Sequence, residues 1–322
     1  MTVQRSTFFG LLIALLFFLF SYFVYPNLVL GDVEHYAKAY NVIGSESVFD
    51  AYFIYRGHTG ATDFLPPYIV KFFSLFITHQ LYVSVLNFGL GFLMMAVFML
   101  NRRFWSVADI FMAIFIICGY YTWVVVFGLE RFKVSLIFLL VSFICFVRSY
   151  NFRSVVFLVC SVLSHLQSLT LIFPVLTFII ISRIQPAHFK YLVGLAVLFI
   201  ALLMIISEGI RHKLGYYLTG NLRFDFKVYS VLLLNAYFVF VFRINGFSGK
   251  YFWALVAASS VFMIFLVVLS GERLMLTLFF MWFFISGLSG RYFFMYLFPW
   301  YLFCFIKGTT YLSIINAGGS GF

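Results

Sequence analysis

Apolar runs near the length a helix needs to cross a bilayer, about 20 residues, recur along this chain. They lie at 7–30, 81–100, 107–127, 132–147, 191–207, 226–242, 251–270, 274–289 and 292–306. Of the 322 residues, 64% are hydrophobic and only 10% are charged, whereas a soluble domain carries about 25% charged residues. Such a chain has too little polar surface to face water. The expected fold class is an all-α integral membrane protein, which excludes soluble enzymes, secreted disulfide scaffolds and DNA-binding modules. The net charge of +11 does not point to nucleic acid, because the 21 Lys and Arg are scattered between apolar runs rather than gathered in a stripe. Cys118, Cys145, Cys160 and Cys304 lie inside apolar runs without metal spacing and read as small buried hydrophobes. The run at 7–30 is too long for a signal-peptide core and reads as an uncleaved first span. The closing AGGSGF reads as a flexible tail without function.

Two stretches depart from the simple pattern. Residues 154–182 are too long for one upright helix, and Ser164-His165-Leu166-Gln167-Ser168 sits near their middle. Two short helices meeting at this polar knot are expected. Residues 64–78 are too short to cross and suit a re-entrant or interfacial helix. With the N-terminus inside, the cytoplasmic side receives Arg5, Arg102, Arg103, Arg148, Arg153, Arg183, Lys190, Arg243, Lys250 and Arg291 against the single acid Asp109. That segregation, which follows the positive-inside rule, collapses if 64–78 crosses. The reading is one polytopic domain over 1–322 with about 11 spans, a long periplasmic loop at 31–65 and a basic periplasmic loop at 208–225. The cytoplasmic turns are short, so any chemistry faces outward.

Candidate residues cluster on that outer side. A helix through GDVEHYAKAY places Asp32, His35 and Tyr36 on one face, as a solvated surface helix or a substrate contact. YRGHTGATDF supplies Arg56, His58 and Asp63 among glycines, a pattern that suits sugar hydroxyls and is also common in polar loops. Glu130 and Arg131 stand between two apolar spans, where charge is costly unless it pairs or faces a cavity. They fit a plain pair involving Arg131 or Lys133, or else a carboxylate base beside a guanidinium for phosphate. His165 lies in a helix break, where unwound backbone lines a cavity. Arg273 follows Glu272 at another outer boundary. The loop EGIRHKLGYYLTGNLRFDFK brings Arg211 and Arg223 within a basic excess that suits a phosphate-bearing ligand or lipid headgroups. No metal-ligand set or nucleotide loop is present in the sequence, so a metal-independent site without cofactor is expected.

Gly31-Asp32 with Tyr36, an outer loop ending near Asp63, GLERF at 128–132, SHLQSL at 164–169 and Arg273 follow one another in an order that resembles the EpsG-like and Wzy-type bacterial polysaccharide polymerases. The chain departs from the family pattern at Glu130-Arg131, where Arg then Gln is usual, and at His165, which is followed by Leu and Gln before Ser168. The resemblance implies a GT-C-like inner-membrane glycosyltransferase. It would move a growing glycan from undecaprenyl diphosphate onto an incoming lipid-linked repeat unit at the periplasmic face, with a chain-length regulator protein as partner. Glu130 or His165 would be the base. Asp32, Tyr36, Arg56, His58 and Asp63 would bind the acceptor, and Arg273 with Arg131, Arg211 and Arg223 the donor diphosphate. A flippase for the same lipid-linked sugars, or another periplasmic-facing transferase acting on the polymer, is the alternative.

Overall fold

The computed structural model describes residues 2–27, 32–100, 107–183, 226–244, 249–264, 271–289 and 297–316. Among these residues the fold is entirely helical, without strands. The chain divides into two compact units, one formed by Met1–Ser168 with Gly287–Phe322 and the other by Leu169–Ser286.

In the first unit, α1 (Thr2–Val24) packs along α5 (His79–Met99). Gly91 permits this approach, since a Cβ there would lie 2.9 Å from the Phe17 ring. Between α1 and α5 the chain builds a small helical cap: α2 (Asp32–Ile43), α3 (Ala51–Thr59) and α4 (Pro66–Ser74). The segment expected as one long polar loop is therefore largely folded, because Val33, Tyr36, Ala39, Tyr40 and Ile43 form a buried stripe at helical spacing. Asp32 and His35 flank that stripe and are exposed while Tyr36 is buried, so the three do not share one environment. At nine residues α4 spans about 14 Å, too short to cross a bilayer. Buried Lys71 of α4 donates to the Gly44 and Glu46 carbonyls at 2.9 and 2.6 Å, tying the cap together. α3 ends at Gly60, whose φ of 65° is the left-handed conformation that glycine adopts without strain.

The stretch expected as one span over 107–127 is broken. α6 (Val107–Ile117) and α7 (Tyr120–Phe127) meet at Cys118-Gly119, where Thr122 Oγ1 bonds the Ile116 carbonyl at 2.8 Å. α14 (Phe298–Asn316) packs over that break. α8 (Glu130–Val147) pairs with α9 (Asn151–Ser164) through two serine contacts seven residues apart on each helix. Ser135 Oγ donates to the Ser161 carbonyl at 2.9 Å and Ser142 Oγ to the Ser154 carbonyl at 2.7 Å. The amphipathicity of α9 is inverted: Ser154, Ser161 and Ser164 are buried, while Val155, Val156, Val159 and Leu163 are exposed.

α9 ends at Ser164, and after the turn Leu166–Ser168 the second unit starts with α10 (Leu169–Arg183). The polar knot divides this long apolar stretch as its residues predict. α10 packs on α12 (Lys250–Ile264), α12 also meets α11 (Phe226–Ile244), and α13 (Gly271–Ser289) carries Trp282 against Phe238 and Phe242. Among the described residues one helix, His79–Met99, is long and apolar enough to cross a membrane. Shorter apolar helices include Phe8–Val24, Asn151–Ser164 and Val228–Ile244. The run at 191–207, the basic loop 208–225 and the closing AGGSGF lie outside the described residues.

Candidate functional site

Two backbone N–H groups explain how a loop residue reaches the helix break. Phe64 and Leu65 both donate to the Leu163 carbonyl, at 3.1 and 3.0 Å. That carbonyl lies at the end of α9, where no helical partner remains for it. Their docking carries Asp63 to His165, whose backbone is extended (φ −165°, ψ 117°) immediately after the helix. His165 Nδ1 lies 3.3 Å from each Asp63 carboxylate oxygen. With Nδ1 carrying the proton, His165 donates to Asp63 and turns Nε2 into an acceptor. The Phe132 ring meets the imidazole edge-on at 6.1 Å between centroids.

Arg131 completes this group from the first turn of α8. Its Nη1 donates to Asp63 Oδ2 at 2.7 Å and its Nε to the Tyr36 hydroxyl at 2.9 Å. Asp63, Arg131, His165 and Tyr36 therefore come together from the 60–65 loop, α8, the helix break and α2. Burial pushes the Asp63 carboxyl up, but the hydrogen bonds from His165 and Arg131 and the guanidinium charge outweigh it and hold it below its ordinary value. At Tyr36 burial wins instead: its phenol is pushed up to about 12 despite Arg131, so it stays a neutral hydroxyl.

Glu130 does not pair with Arg131. Consecutive helix positions point about 100° apart, and Glu130 turns inward instead. Its Oε2 lies 3.1 Å from His79 Nε2, and His79 Nδ1 lies 3.0 Å from the Tyr25 hydroxyl. Glu130 and His79 are the first residues of α8 and α5, where the helix dipoles favour a carboxylate. Both are buried, at 6% and 7% exposure, and the His79 ring is flanked by Tyr40 and Tyr82 at 4.8 and 6.1 Å between centroids. Lys133, one turn into α8, is also buried and donates to the Val126 carbonyl at 2.6 Å. Sequence reasoning missed Tyr25, inside the apolar run at 7–30, and His79, just before the run at 81–100, since neither position gave a hint of a partner.

The remaining expected residues stand elsewhere. Arg56 and His58 are exposed on α3 and, among the described residues, their side chains hydrogen-bond to nothing. Asp32 is likewise exposed and makes no hydrogen bond to the cluster. Arg273 is exposed on α13 in the second unit, and Arg211 and Arg223 lie outside the described residues. Among the described residues no group of three His, Cys, Asp or Glu is placed to hold a metal ion. No known family, curated protein or solved structure matches this chain.

Proposed function

We propose that this chain is a multi-pass membrane glycosyltransferase of the polysaccharide-polymerase kind, working on lipid-diphosphate-linked sugars at the periplasmic face of a bacterial inner membrane. The observation that carries the reading is the Asp63–His165 dyad beside Arg131. These residues, with Tyr36, belong to the segments whose order resembles such polymerases, and they converge from four separated parts of the chain. Inverted α9 and its serine-mediated packing on α8 support a lipid surroundings, since helices in bilayers associate through small and hydroxyl residues and turn apolar side chains outward.

In the proposed reaction the hydroxyl of the incoming unit attacks the anomeric carbon of the growing chain. A new C–O bond forms as the anomeric C–O–phosphate bond breaks, and the electron pair leaves on the phosphate oxygen of the lipid diphosphate. The hydroxyl proton passes to His165 Nε2. Asp63 fixes the imidazole tautomer and balances the imidazolium that results, as a carboxylate does behind a histidine base. Arg131, anchored by Asp63 and Tyr36, offers its remaining guanidinium edge to the departing phosphate. Asp32 is proposed as a contact for the acceptor. Glu130, sequestered with His79, is the weaker candidate for the base.

Proteoliposomes loaded with a lipid-diphosphate-linked oligosaccharide test the reading. Elongation of the glycan, with one lipid diphosphate freed for each unit joined, is the expected result. Movement of the unit across the bilayer without elongation supports a flippase instead.

A further inference from the structure

We propose that His79, with Tyr25 behind it, is a positioning residue that holds Glu130 away from Arg131, so that Arg131 is left to Asp63, a role that rests on reading Asp63 and His165 as the reacting site. Glu130 and Arg131 are neighbours in sequence, and a carboxylate released from its buried partner has a guanidinium one residue away. In the folded chain the two charges are separated by giving each its own partner on a different element. Glu130 bonds His79 at 3.1 Å on the inner side, and Arg131 bonds Asp63 at 2.7 Å on the other.

The groups around Glu130 are Tyr25, Tyr36, Tyr40, Tyr55, Tyr82, His79, Lys133 and Arg131. Among the five phenols, only Tyr25 continues the His79 contact, at 3.0 Å from Nδ1. Lys133 Nζ is occupied at the Val126 carbonyl. Of the three cationic or basic side chains, His79 is therefore the one that bonds the Glu130 carboxylate directly. Removing it leaves a buried carboxylate without a hydrogen-bonded partner, a costly state. The available relief is for Arg131 to turn from Asp63 to Glu130. Asp63 would then lose the cation that helps keep its carboxyl ionised, and His165 would keep a partner whose charge is no longer shared with Arg131.

The readout is the titration of Asp63, followed by the carboxyl carbon signal of ¹³C-aspartate in the purified full chain in nanodiscs and assigned with Asp63→Asn. It needs no enzymatic activity, so it fails or succeeds independently of the polymerase reading. His79→Phe keeps a ring between Tyr40 and Tyr82 but removes both nitrogens. The Asp63 midpoint should rise by about one unit, the order expected when a carboxylate loses an adjacent Arg. Adding Glu130→Gln removes the charge that attracts Arg131, so the double variant should return the midpoint to its original position. Loosened packing would not be repaired in this way. An unchanged midpoint in folded His79→Phe, or a rise that persists with Glu130→Gln, overturns the proposal. If His79→Phe does not fold, Tyr25→Phe serves: a smaller rise in the same direction is expected, and no movement contradicts the role.

Discussion

Arg131 and Asp63, 68 residues apart in the chain, meet at 2.7 Å, and the same carboxylate also receives His165. One acid thus answers two basic groups, and its removal affects both. Asp63→Asn keeps the size and one carbonyl oxygen but loses the charge. Both members of the Arg131–Asp63 pair are largely buried, at 21% and 9% side-chain exposure. A loss of about 1.5–3 kcal/mol is expected, the usual range for hydrogen bonds to charged groups. A lowered Tm in detergent checks this. An unshifted Tm would mean that the pair contributes nothing to the fold.

The same carboxyl fixes the acid side of the stability profile. Its folded value lies below the ordinary one, so the folded chain binds that proton less readily than the unfolded chain. The contribution is complete above the unfolded value of about 3.9 and is lost as pH falls through it towards the folded value. The Tm difference between the unaltered protein and Asp63→Asn should therefore narrow as pH falls below about 4. A difference that widened on acidification would have the wrong sign for a depressed carboxylate.

Tyr36 holds the other edge of Arg131. Tyr36→Phe removes the hydroxyl that accepts from Nε at 2.9 Å while preserving the stacked ring, 6.4 Å between centroids from Tyr55. The expected stability cost is about 1 kcal/mol, with a larger effect on turnover, because Arg131 becomes less well aimed. A Phe variant whose kcat is intact would remove Tyr36 from the site.

Gly308 tests the packing that the sequence concealed. A Cβ there would lie 2.5 Å from the Cys118 carbonyl oxygen and 2.9 Å from the Tyr120 nitrogen, both backbone atoms at the α6–α7 break. Neither can yield by rotating a side chain. Gly308→Ala should cost about 1–3 kcal/mol, as overpacking does, and lower Tm accordingly. A neutral Ala variant would show that α14 does not lie so close to that break.

What was legible in the sequence followed from local physics. Ser164 to Ser168 interrupt an apolar stretch that would otherwise be continuous, and the helix ends there. The break at Cys118-Gly119 was not legible, because both neighbours are apolar and a lone glycine is tolerated inside a helix; the segment that packs against it, at Gly308, is distant in sequence. Arg131 stands out as a charge between apolar spans and His165 as a polar group in a helix break, while Asp63 reads as one acid of a polar loop. Their meeting depends on the Leu163 carbonyl receiving two backbone donors from the 60–65 loop, which no periodicity encodes. His79 lies just before the apolar run at 81–100, and only the fold brings it to Glu130.

The central claim is that His165, held by Asp63, removes a proton from an attacking sugar hydroxyl. The direct measurement is conversion of purified lipid-diphosphate-linked repeat unit into longer glycans by the reconstituted chain, compared with His165→Ala. The unaltered protein should yield a ladder of products. A folded His165→Ala protein should be slower by about 10²–10⁴, the usual contribution of a general base. No ladder from the unaltered chain, or a normal ladder from His165→Ala, would contradict the account.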